Sequence, residues 1–242
     1  IKFGKLVEFA ESLGIQKIAT GHYVQTDGKY FYEGADKSKD QSYFLAKVDA
    51  GIPSKAVFPL GSWQKEDVKA KAASFAVLRR IAKQKESSEI CFVDDTYLDV
   101  LKEHMDIDHA GTVVDKEGSE VGTHKGYMHY TIGKRRGFDV PAAQVPHYVT
   151  GIDAKNNIIQ VGLKEDLRMS RVIAKDLNFF GPKPTECEVK VRYRTKKLPA
   201  SITYEDDRAV ISLHEPAYGV AKGQIAAFYE GEKLLGGGTI IA

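Results

Sequence analysis

The chain has 242 residues, of which 43% are hydrophobic and 28% charged, a globular composition that excludes wholesale disorder, collagen-like repeats and a disulfide scaffold. Thirty-five Lys and Arg face 33 Asp and Glu, a net charge of +2, so bulk charge points to no partner and only local patches can. Apolar runs last a few residues, against the roughly 20 needed to span a bilayer, and the opening IKFGKLVEFAES carries no signal-peptide block; the expectation is a cytoplasmic protein without membrane contact, beginning inside a larger one.

Phe3, Leu6, Val7, Ala10 and Leu13 follow helix spacing, with Gly14 as the stop. IQKIATGHYV reads as a strand running into Gly21-His22-Tyr23. Helix, glycine, strand and polar turn are the grammar of a parallel α/β sheet, where ligands sit beyond the carboxyl ends of strands. Asp27-Gly28 reads as a turn and residues 29–32 as a strand. DQSYFLAKV reads as a helix, and another follows Ser62 with Val68, Ala72 and Phe75 on its inner face. KQKESSEICFVDD reads as a loop before the helix DTYLDVLKEH, with Asp95 as its cap. Beyond residue 106 glycines and turn dipeptides recur, among them Asn156-Asn157, Asp206-Asp207 and Glu230-Gly231. ECEVKVRYR alternates, with Cys187, Val189, Val191 and Tyr193 on one face and Glu188, Lys190, Arg192 and Arg194 on the other. Short strands at this spacing predict β-barrels or sandwiches. The divisions fall near residues 106 and 166, giving segments 1–106, 107–165 and 166–242.

Of the two cysteines, Cys187 reads as a small hydrophobe on a strand face. Cys91 precedes a helix start, where free N–H groups favour thiolate, but Asp94 and Asp95 oppose that and Ile90 and Phe92 offer burial. The stretch GTHKGYMHYTIGKRRGF holds His124, Lys125, His129, Lys134, Arg135 and Arg136, with Tyr127, Tyr130 and Phe138 interleaved. Basic side chains among aromatics suit a phosphate backbone with stacked bases; a solvated loop is the plain alternative. VRYRTKK adds a second basic cluster. GGG at 236–238 precedes a strand, so it is no phosphate loop. The residues alone thus describe an α/β-plus-β, RNA-binding protein with one conspicuous thiol.

In order along the chain, IATGHYV, KDQSYFLAKV, FPLG, ICF, HKGYMHYTIGKRRG, VRYR and GQIAAFY…GGGTI resemble the bacterial tRNA-specific 2-thiouridylases. The resemblance implies the remainder of an adenine-nucleotide α hydrolase-like parallel-sheet domain, then a small central β domain and a C-terminal β-barrel. It implies ATP, with Mg2+, for adenylating the wobble uridine of tRNA, and a cysteine persulfide, charged by a sulfur-carrier protein, that delivers sulfur to C2. By the same matching Cys91 is the persulfide cysteine and Gly21 belongs to the ATP site. His22, Lys39, Asp40, Gln41, Arg192, Tyr193 and Gln224 contact tRNA, and Lys134, Arg135 and Arg136 join them by charge. The family's SGGxDS loop and its other catalytic cysteine match nothing in the 242 residues, so the chain alone is expected to be inactive. Glu89 stands where the family has glycine. An RNA-binding module with an inert Cys91 is the alternative; an ATP-dependent ligase or amidotransferase is disfavoured by the β segments.

Overall fold

The structure, a computed structural model, describes residues 2–83, 96–141 and 145–242. It divides into two compact units. One takes the described residues of Ile1–Gln84 with Ser170–Glu215 and Lys222–Ala242; the other takes those of Lys85–Met169 with Pro216–Ala221.

The first unit opens on helix Lys5–Ser12. Of the predicted inward stripe, Val7 and Ala10 are buried, whereas Leu6 and Leu13 are exposed. The helix packs on a narrow support, the parallel pair Ile18–Ala19 and Ala56–Val57, which covers only that seam. The parallel pairing is the one the α/β grammar requires. The single strand expected over IQKIATGHYV is divided in two. Ile18–Ala19 joins the parallel pair, and Val24–Thr26 forms a hairpin with Phe31–Glu33. Gly21 and His22 occupy the bend between them, just past the parallel strand.

DQSYFLAKV is not a helix but a single 3-10 turn, Ser42–Leu45. The segment is held from outside: the Gln41 N–H donates to the Tyr23 carbonyl at 3.1 Å, and the Asn178 side-chain amide donates to the Ala46 and Val48 carbonyls at 3.1 and 2.8 Å. The next helix starts at Lys65 rather than directly after Ser62, and runs Lys65–Ser74. Its first N–H is capped from a distance, by Asp36 Oδ2 at 3.0 Å, so no local Ser cap is needed. None of its residues is buried and Phe75 beyond it is exposed, contrary to the inner face read from the sequence.

The barrel lies in the same unit. Strands Arg168–Phe179, Arg208–Tyr218, Leu198–Glu205, Glu186–Lys190, Ile225–Glu230 and Lys233–Ile240 pair in that order. The first and last also pair with each other, which closes the ring. The Phe31–Glu33 hairpin extends this sheet through Phe31–Leu234 and Tyr32–Lys233. Asp206-Asp207 forms a two-residue turn between the paired Glu205 and Arg208, with Asp206 at φ 53°. The three glycines fall within strand Lys233–Ile240, where the ring closes. A Cβ on Gly236 would meet the Asn178 carbonyl oxygen at 2.1 Å, and its φ is 149°. Close backbone approach explains that glycine. ECEVKVRYR leaves the sheet at Lys190. The backbone then turns, with the Arg192 carbonyl accepting from Thr195 N at 3.2 Å and Thr195 Oγ1 at 2.8 Å. Arg192 and Tyr193 are therefore turn residues, not opposite faces of a strand.

The second unit holds helix Tyr97–His104, at whose start the Asp99 carboxylate accepts from Thr96 N and Thr96 Oγ1, each at 2.9 Å; Asp95, the expected cap, lies outside the described residues. Its sheet runs Phe138–Asp139, Glu120–His124, Gly111–Val114, Ile158–Gly162, Tyr148–Asp153. Val113, Tyr130, Val149, Ile159 and Val161 form its core. No helix of the described residues is long and apolar enough to cross a membrane.

Candidate nucleic-acid interface

The bend after Ile18–Ala19 presents His22 at one wall of an open groove of about 400 Å³, with Lys2, Phe3, Phe44, Lys47 and Asp49 around it. The His22 ring lies 5.6 Å from Phe3 and 6.2 Å edge-on from Phe58, and its Nδ1 is 2.8 Å from Thr20 Oγ1. Burial, with the Lys2 charge adding to it, holds its pKa below the ordinary histidine value. It is a neutral hydrogen-bonding ring at pH 7, not a cation. Gly21 is exposed, and a Cβ there would only touch Leu60 Cδ1 at 3.8 Å. That is ordinary contact, so Gly21 alone makes no cradle for a phosphate.

Segment 39–49 is fixed from several sides. Asp40 is 4% exposed. Its Oδ1 accepts from Gly34 N and Ser42 N, each at 3.1 Å, and its Oδ2 from Ser42 Oγ at 2.9 Å. The carboxylate is thus engaged inside the protein. Gln41 clamps the hairpin in both directions, its N–H donating to the Tyr23 carbonyl at 3.1 Å and its Oε1 accepting from Tyr23 N at 3.0 Å. The Tyr43 hydroxyl donates to the Ile225 carbonyl at 2.9 Å, beside Gln224. Burial pushes that hydroxyl up to about 12, against the opposing Ile225 bond and Arg192 charge. The Tyr193 ring lies 4.4 Å from Phe44, tilted by 42°, and 6.1 Å from Tyr43. Burial, with the Asp40 charge adding to it, raises the Tyr193 hydroxyl against the charges of Arg194 and Lys39. Lys39, Gln41, Arg192, Tyr193 and Gln224, far apart in sequence, therefore meet around Tyr43. Asp40 is beneath them.

Lys134, Arg135 and Arg136 belong to the second unit. Lys134 folds inward, its Nζ 2.6 Å from the His129 carbonyl and 5.1 Å from the Tyr130 ring centroid. Arg135 and Arg136 are exposed. Buried His124 holds this loop: its Nδ1 accepts from Gly126 N at 3.0 Å, so its Nε2 carries the proton to the Asn157 carbonyl at 3.1 Å. Burial lowers its pKa, against the Asn157 bond. An unfolded histidine titrates near 6.5, so the unfolded chain takes the proton first. Stability present above about pH 6.5 is expected to fall, by up to about 1.4 kcal/mol per pH unit, as pH drops toward the folded value. Urea unfolding at pH 7.5 and 5.5 checks this; His124→Gln should flatten the dependence, and an equal slope in both proteins would refute it.

Cys91 lies outside the described residues. Cys187 is half-buried on its strand, and burial pushes its thiol up to about 12. Sequence reasoning missed Phe44, whose place in a supposed helix hid its exposure. It also passed over Lys69, Lys71, Arg79, Arg80 and Lys83, a run with no acidic residue between 68 and 83 on helices without buried residues. Charge counting over that window would have found it.

Three family models match: a "tRNA methyl transferase HUP domain" over residues 1–95, a "tRNA methyl transferase PRC-barrel domain" over 98–163 and an "Aminomethyltransferase beta-barrel domain" over 169–240. The tRNA-specific 2-thiouridylase MnmA of Nitratiruptor sp. is 51% identical over 242 residues, covering 100% of this chain and 71% of that protein. The proteins of the same name from Sulfurimonas denitrificans and Campylobacter jejuni (strain RM1221) are also 51% identical, over 99% of this chain and 71% and 72% of their own lengths.

Proposed function

Given that this chain belongs to the tRNA-specific 2-thiouridylase family, we propose that it serves wobble-uridine 2-thiolation, binding tRNA through the surface around Tyr43 and carrying sulfur on Cys91. The carrying observation is the meeting of Lys39, Gln41, Arg192, Tyr193 and Gln224 on one face of one unit. Cations beside aromatic rings suit a phosphate backbone with unstacked bases. The family-model titles name methyl transfer and the relatives name thiolation; the relatives match over the whole of this chain, which spans 71% of their length, and a thiol nucleophile fits them.

ATP is the co-substrate in this reading. The uridine O2 attacks the α-phosphate and pyrophosphate leaves, which turns a poor leaving group into a good one. The terminal sulfur of a Cys91 persulfide then attacks C2, and AMP departs with the oxygen. A second thiol cleaves the S–S bond, leaving sulfur on C2 and a disulfide with Cys91. Cys187, half-buried with a raised pKa, is unsuited to be that thiol. The described residues contribute tRNA positioning; Lys134, Arg135 and Arg136 belong to the same reading by charge, and Asp40 acts by holding Gln41 to Phe44 in place. The persulfide comes from a sulfur-carrier protein, and the divisions at 106 and 166 are retained.

The test is the intact protein with ATP, a persulfide donor and unmodified tRNA, read by nucleoside mass spectrometry. 2-Thiouridine with matching AMP is expected. AMP without thiolation, or thiolation without ATP, would overturn the scheme. Arg192→Ala should weaken tRNA binding severalfold and lower the salt slope by about one; an unchanged slope would remove Arg192 from the phosphate contacts.

A further inference from the structure

Phe44 is an anomaly of its segment. Ser42, Tyr43, Leu45 and Ala46 are buried around it, yet Phe44 is 48% exposed. The turn that carries it is pinned by Asp40 beneath, by Tyr43 to Ile225 and by Asn178 to the Ala46 and Val48 carbonyls. The ring therefore stands on a rigid base. On one side it is 4.4 Å from Tyr193, tilted by 42°, and 5.6 Å edge-on from Tyr43. On the other it forms a wall of the His22 groove. Cations flank both sides: Lys2 and Lys47 at the groove, and Lys190 with its amine 5.9 Å from the Tyr193 centroid. An apolar ring half in water adds little to folding, whereas a rigid aromatic face between cations is the arrangement on which single-stranded nucleic acids stack their bases.

We propose that Phe44 is a base-stacking residue: an unstacked nucleobase of the bound tRNA lies on its exposed face, bridging the His22 groove and the Tyr193 patch, while the flanking lysines meet the adjoining phosphates. This rests on the tRNA reading above and adds to it a contact that is aromatic and indifferent to salt. The occupant is a base rather than a peptide because Lys2, Lys47 and Lys190 flank the two sides, against Asp49 as the one acid among the described residues lining the groove, Asp176 beside Lys47, and the buried Asp40 near Tyr193.

The experiment measures affinity for unmodified tRNA by filter binding over a salt series, with the intact protein and its Phe44→Ala, Phe44→Leu and Phe44→Trp variants. Phe44→Ala should weaken binding roughly tenfold or more. Phe44→Trp should hold near the parent, and Phe44→Leu, which keeps apolar bulk without a π-face, should resemble alanine. The salt slope should be the same in all four, since no phosphate contact is removed. Binding by Phe44→Ala within twofold of the parent overturns the proposal, and so does Phe44→Leu equal to Phe44→Trp, which would reduce the ring to packing. A parent that does not bind tRNA overturns the RNA reading itself, a result visible before any variant is compared. Thermal midpoints within a few degrees of the parent, as an exposed position predicts, separate lost stacking from lost folding.

Discussion

Cys91→Ser in the intact protein is expected to reduce 2-thiouridine formation by at least about a thousandfold, the scale of losing a nucleophile, while Cys187→Ala leaves the rate within a fewfold of the parent. The chain offers two thiols, and the physics of one is plain. Cys187 sits on strand Glu186–Lys190, half-buried, and burial, with Glu186 and Glu188 adding their charge, pushes its thiol up to about 12. At neutral pH roughly one molecule in a hundred thousand would then carry the thiolate, and the thiolate is the form that takes up and transfers sulfur. Cys91 is proposed because the family resemblance matches its ICF segment to the persulfide cysteine. Nucleoside mass spectrometry of tRNA treated with each variant decides it. Product retained by Cys91→Ser, or lost in a folded Cys187→Ala, would reverse the assignment. Alkylation against pH gives a second view: Cys187 should react at neutral pH only in denaturant.

The parts of this fold that were legible in the sequence are those set by local chemistry. Gly21-His22 was readable as the bend after a parallel strand because helix, glycine and strand leave few alternatives. Asp206-Asp207 and Glu230-Gly231 were readable as turns because those residues accept positive φ, and Asp206 and Gly231 adopt 53° and 58°. What was not legible depends on distant partners. DQSYFLAKV has helical composition, but partners outside it hold it in place, Tyr23 by the Gln41 N–H and Asn178, far along the chain, by the Ala46 and Val48 carbonyls. Lys65 begins a helix without a local cap because Asp36 caps it from elsewhere. VRYR alternates like a strand, yet Thr195 closes a turn on Arg192. The grouping of Lys39, Gln41, Arg192, Tyr193 and Gln224 came from family resemblance alone. No periodicity joins residues so far apart; contacts such as Tyr43 to Ile225 and Ser42 to Tyr229 bring them together.

Asp40→Ala is expected to cost about 3–5 kcal/mol in urea unfolding and, with it, tRNA affinity, although the carboxylate is 4% exposed and turned away from solvent. Gly34 N, Ser42 N and Ser42 Oγ all donate to it. Removing the acceptor strands buried donors at about 1–3 kcal/mol each, a large share of a typical 5–15 kcal/mol of stability. The turn would no longer hold Gln41, Tyr43 and Phe44 in place. Asp40→Asn is the sharper probe. The Ser42 hydroxyl gives its single proton to Asp40, so the Tyr229 hydroxyl, 3.0 Å away, must donate to Ser42. An asparagine can keep Oδ1 facing both backbone N–H groups, but its amide then donates to Ser42, whose proton turns toward Tyr229 and leaves the Tyr229 proton without an acceptor. The cost should be about 1–3 kcal/mol, centred on that one proton. Tyr229→Phe removes it. In the Asp40→Asn background Tyr229→Phe should therefore cost less than in the parent, a coupling readable by a double-mutant cycle. Additive costs would mean that the proton does not run from Tyr229 through Ser42 to Asp40, and an Asp40→Ala protein within 1 kcal/mol of the parent would mean that the carboxylate does not hold the turn.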